Sequence, residues 1–91
     1  MTIRLLLIDG DAVFRDHVGV QLTRAGDFTV TALADGRTAT TGGHDAAVLD
    51  AGLAAPSAPS LCAKWRAARQ TFPVIVLTPP GDPAMAAAVL D

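Results

Sequence analysis

Residues 3–18 read Ile3-Arg-Leu-Leu-Leu-Ile8 and then Asp9-Gly-Asp-Ala-Val-Phe-Arg-Asp-His-Val18. The apolar run is too short for a core helix and nearly unbroken, the pattern of a strand covered on both faces. Asp11 is placed to cap a helix running through Ala25, because Phe14, Val18, Leu22 and Ala25 recur at helical spacing. Arg15, Asp16 and Arg24 fall largely off that stripe, and Gly26 is placed to end the helix. A buried strand that hands the chain directly to an amphipathic helix is the first half of a βαβ unit. The fold expected from it is α/β with a parallel sheet and right-handed crossovers.

The pattern repeats downstream. Phe28–Ala32 alternates apolar residues with Thr, as a strand with one wetter face does at a sheet edge. Ala34–His44 has weak periodicity and several Gly and Thr, so any helix there is short. Ala46–Leu49 reads as the next buried strand, and Ala51–Pro59 as a small-residue loop in which Ser57 or Ala58 precedes Pro59 at a helix start. Leu61, Cys62, Trp65 and Ala68 give that helix one apolar face. Pro73–Leu77 is strand-like with Pro at its first position, and Asp82-Pro83 opens a final helix through Leu90. Three apolar runs thus end on Asp9, Asp50 and Thr78. In a parallel sheet, two carboxylates and a hydroxyl then meet at the carboxyl edge, where open α/β sheets bind their ligands.

Composition narrows the classes. The 91 residues suffice for one domain, about half apolar and poor in aromatics, so the core is built from Val, Leu, Ile and Ala. Net charge is −2 and every acidic residue is Asp. The arginines at 4, 15, 24, 37, 66 and 69 are scattered rather than clustered, which argues against a nucleic-acid surface. One cysteine, Cys62, excludes an intrachain disulfide and a multi-cysteine zinc site. His17 and His44 share no spacing with other ligands and read as ordinary helix and loop residues. No apolar stretch approaches the ~20 residues needed to span a bilayer, and no signal peptide is visible, so a cytoplasmic domain without membrane association is expected.

The segments LLLIDGDAVFRDHV (5–18), HDAAVLDAGL (44–53) and FPVIVLT (72–78), in order and over essentially the whole chain, resemble the receiver domain of bacterial two-component response regulators. The resemblance implies a CheY-like, flavodoxin-like three-layer αβα fold with strand order 2-1-3-4. It would make residues 1–91 a single domain that lacks the usual fifth strand and helix. It implies that Asp50 is the phosphoacceptor, taking a phosphoryl group from the phosphohistidine of a sensor histidine kinase. It further implies that Asp9, Asp50 and the Gly52 backbone carbonyl hold Mg²⁺, with Asp11 a further candidate ligand, and that the Thr78 hydroxyl meets the phosphoryl group after transfer. Such a domain is a signalling element and not an enzyme beyond self-catalysed phosphoryl transfer. The chemistry is coherent in itself, since a carboxylate can attack phosphorus and Mg²⁺ favours hard oxygen donors.

The chain departs from the family pattern at four points. Gly10 stands where a second acid is usual and weakens the expected metal site. Pro79 follows Thr78 where a backbone N–H is usual, and Pro has none. Ala54 replaces a proline, and the family's lysine has no counterpart, the only lysine being Lys64 on a helix. Two alternatives follow. One is a degenerate receiver that keeps the fold as a phosphorylation-independent binding or dimerisation module. The other is a haloacid-dehalogenase-type phosphatase, whose first motif LLLIDGDAV resembles with Asp9 as nucleophile, and which leaves Asp50 without a role. An open edge at Val74–Leu77 would also favour homodimerisation or strand exchange.

Overall fold

The computed structural model describes residues 2–39 and 42–78. The Pro79 position and the helix expected between Asp82 and Leu90 lie outside them. The described chain runs β1 (Ile3–Ile8), α1 (Ala12–Arg24), β2 (Phe28–Leu33), β3 (Ala46–Asp50), α2 (Ala58–Ala67) and β4 (Val74–Leu77). The strands form one four-stranded sheet in the order β2-β1-β3-β4, and every neighbouring pair is parallel, as expected.

Strand alternation sorts the sheet into two faces. Leu6 and Ile8 of β1 and Ala47 and Leu49 of β3 have no exposed surface, and they pack with Leu53, Ala58, Leu61, Cys62 and Trp65 on the α2 side. Val74 and Val76 join them from β4, as does Phe72, whose ring meets Trp65 edge-on at 5.5 Å. Fully burying one such aliphatic side chain contributes about 1.5–3 kcal/mol, which makes this layer the main source of stability. Leu5 and Leu7 point to the opposite face, beside their register partners Val30 and Ala32, and α1 lies over that side.

Local chemistry sets the ends of the helices. The Asp11 carboxylate caps α1 by accepting from the backbone N–H groups of Val13 and Phe14, at 3.0 and 3.2 Å. Gly26, at φ +86°, follows the last turn in the left-handed conformation that glycine adopts without strain. Ser57 caps α2 by accepting from Ser60 N–H, so Ala58 is the first helical residue and Pro59 the second, one place later than expected.

Other departures from the sequence expectation are informative. Not one residue of α1 is fully buried; Phe14 is 39% exposed, so the Phe14–Val18–Leu22 stripe lies along the sheet without being enclosed by it. Ala68 is exposed and forms the C-cap of α2 rather than part of its apolar face. Pro73 precedes β4 instead of starting it, though its carbonyl still accepts from Ala47 N–H at 3.0 Å. Between β2 and β3 the described residues form bends and turns rather than a helix. There Gly36 is buried against Leu61, so closely that a Cβ would meet the leucine Cδ1 at 2.6 Å.

Candidate functional site

At the carboxyl edge the register carries Ile8 beside Leu49 and Asp50 beside Leu77. Asp9, the residue after β1, and Asp50, the last of β3, therefore continue the same row on the α1 side of the sheet. Together with Asp11, Phe14 and Leu77 they line one cleft of about 250 Å³. This is the meeting of carboxylates expected from the sequence.

The two central carboxylates are held in similar ways. Asp9, only 4% exposed, accepts through Oδ1 from the Asp11 N–H at 2.8 Å. Asp50, half-buried, accepts through Oδ1 from the Gly52 N–H at 2.9 Å. Both are tight turns in which an Asp side chain takes the amide two residues on, a geometry Asp adopts readily. Each leaves Oδ2 as the oxygen without a partner among the described residues.

The remaining candidates are placed differently. The Asp11 carboxylate lines the cleft but is committed to capping α1. Gly52 anchors Asp50 through its N–H. Thr78 lies one residue beyond β4, exposed, and does not line the cleft. Alternation explains this: Leu77 is in register with Asp50 and takes the wall position, and one step along the chain leaves the row. Phe14 and Leu77 supply apolar walls that the sequence reading assigned to core and strand.

Carboxylate oxygens are hard donors, and Oδ2 of Asp9 with Oδ2 of Asp50 suits a hard divalent cation such as Mg²⁺. The donor set is lean. Among the described residues no group of three His, Cys, Asp or Glu side chains is arranged to hold a metal ion. Two carboxylates are the side-chain donors the cleft offers a hard cation, and backbone carbonyl and water would have to complete its shell. Cys62, on the buried face of α2, and the exposed Arg4–Asp45 ion pair at the opposite end of the strands take no part in the cleft. Among the described residues no helix is long and apolar enough to cross a membrane.

No model of a known family and no curated protein matches the sequence. Solved structures do match the fold. The response regulator ChrA of a heme-sensing two-component system is 29% identical at a TM-score of 0.82, over 98% of this chain and 44% of that one. This chain thus spans less than half the length of that protein. The signal receiver domain of the response regulator NarL from Mycobacterium tuberculosis is 22% identical at a TM-score of 0.87, over 98% and 76% of the two chains. The Vibrio cholerae chemotaxis protein CheY4 is 22% identical at 0.79, over 98% and 81%. The cleft gives Asp50, the residue that the phosphatase alternative leaves without a role, a place beside Asp9. With its strand order, crossover helices and paired strand-end aspartates, the chain has the fold of a response-regulator receiver domain.

Proposed function

We propose that this chain is the receiver of a two-component phosphorelay, with Asp50 accepting a phosphoryl group from the phosphohistidine of a sensor kinase. The observation that carries the reading is the convergence of Asp9 and Asp50, distant in sequence, on one cleft at the carboxyl edge of a parallel sheet. In the transfer, an Asp50 oxygen forms a bond to phosphorus as the phosphorus–nitrogen bond of the donor imidazole breaks, and the departing imidazole nitrogen takes a proton. The Gly52 N–H fixes the orientation of the Asp50 carboxylate through Oδ1. Asp9 places a second negative group beside the first, a pairing that suits an incoming divalent cation. Bound there, Mg²⁺ would neutralise charge on the transferring oxygens. Phe14 and Leu77 are the apolar residues that border this cleft. The product adds a charge of about −2 at the sheet edge, where it can shift partner binding.

On this reading the domain turns over no substrate, works in the cytoplasm, and signals through partners. The Thr78 hydroxyl is the sensor of the new group, turning in from its place one residue past the wall.

Acetyl phosphate with Mg²⁺ and intact-mass measurement tests the proposal. A phosphate-sized mass gain is expected, absent in Asp50→Asn and slowed in Asp9→Asn. Absence of any adduct at saturating acetyl phosphate and Mg²⁺ would sink the reading and leave the fold as a binding module.

A further inference from the structure

We propose that Arg15 is a positioning residue of the cleft, fixing the end of β1 so that the Asp9 carboxylate faces Asp50. The inference rests on the reading above, in which those two carboxylates act together. From the second turn of α1 the Arg15 Nη1 donates to the Asp9 backbone carbonyl at 2.7 Å, in a partly buried contact. That is the short distance of a charge-assisted hydrogen bond.

The rest of Asp9 is held too. Its N–H donates to the Leu33 carbonyl at 3.1 Å, continuing the β1–β2 ladder, and its Oδ1 takes the Asp11 N–H. The Arg15 N–H in turn donates to the Asp11 carbonyl at 2.9 Å, the first bond of the helix. Backbone donor, backbone acceptor and one carboxylate oxygen are thus all engaged, which leaves Oδ2 one direction in which to face. Without the guanidinium, the Asp9 carbonyl loses its anchor just where the chain leaves the sheet, and the peptide after it is free to rotate.

Arg15 acts through Asp9 and not on a ligand. It does not line the Asp9–Asp50 cleft. It borders a separate groove of about 550 Å³ between α1 and β2, beside Gly19, Val20, Val30 and Ala32. Met at this position keeps the apolar stem of the side chain and removes the donor, and Lys restores a single charged donor on a slightly shorter chain.

The test compares wild type, Arg15→Met and Arg15→Lys by Mg²⁺ titration of backbone amide resonances, by the rate of acetyl-phosphate labelling of Asp50, and by hydrogen exchange of the Asp11 amide. With thermal midpoints close to wild type, Arg15→Met is expected to weaken Mg²⁺ binding and slow labelling about tenfold, as loss of a ligand-orienting partner does. The Asp11 amide should exchange faster, and Arg15→Lys should recover most of each loss. If Arg15→Met does not fold, Arg15→Gln, too short to reach the carbonyl, is read the same way. A folded variant that binds, labels and protects the Asp11 amide like wild type overturns the proposal. If wild type neither binds Mg²⁺ nor labels, the receiver reading fails, and Asp11 exchange still decides whether Arg15 orders Asp9.

Discussion

Gly10 is the residue at which this cleft differs most from what its fold leads one to expect. A Cβ built there lies 3.9 Å from the Ala34 carbonyl, an ordinary contact, and the backbone is one that any L residue adopts. A side chain introduced at this point meets no clash, and it stands between two residues that line the cleft, Asp9 and Asp11. Even in a bulk-water dielectric, a unit charge about 4 Å from a cation contributes about 1 kcal/mol, and more where water is partly excluded. Gly10→Asp is therefore expected to tighten Mg²⁺ binding about tenfold, read from amide shifts during titration. The sequence made Asp9 and Asp50 legible because the end of an apolar run is a one-dimensional property. It could not separate Leu77 from Thr78, since which of two adjacent residues lines a cleft depends on register. In the sequence Arg15 only falls off the apolar stripe of its helix; its partner is a main-chain carbonyl six residues back, which no side-chain pattern records.

At the scale of elements, the helix ends show where local chemistry was and was not visible. Asp11 and Gly26 stand at cap positions with residue types that favour caps, and both act as expected. The end of α2 carries no such marker. Arg69 takes the left-handed conformation there at φ +62°, while the Gln70 N–H reaches back to the Trp65 carbonyl at 2.8 Å. An L residue with a Cβ is strained in that conformation by about 1–2 kcal/mol. Arg69→Gly is therefore expected to raise stability by about 1 kcal/mol after the extra freedom of glycine in the unfolded chain is deducted. Urea unfolding followed by Trp65 fluorescence measures this, and an unchanged or lower midpoint would show that the Arg69 side chain contributes more than its backbone strain costs. Lacking a glycine at this point, the sequence ran the apolar face on to Ala68, one residue too far.

For the molecule as a whole, the parallel α/β class follows from features the sequence states openly, short apolar runs each followed by a loop or a capped helix, whereas the order β2-β1-β3-β4 was implied by the family resemblance alone. The stretch after β2 was not legible because Gly36 is selected by how closely the chain passes Leu61, a distant contact. Hydrogen exchange should rank the layers. Amides of β1 and β3, between fully enclosed side chains, should open only with global unfolding, and those of α1 at lower free energy. Equal protection of α1 and β1 would contradict this ranking.

Because α1 encloses none of its own side chains, the two groups that shape the end of β1, the Asp11 amide and the Arg15 guanidinium, ride on a helix expected to open more cheaply than the strand it steadies. Whatever the cleft captures must then steady that helix by mass action, and whatever loosens the helix must loosen the catch. Affinity at the sheet edge and the fraying of one poorly anchored helix become a single equilibrium read from two ends.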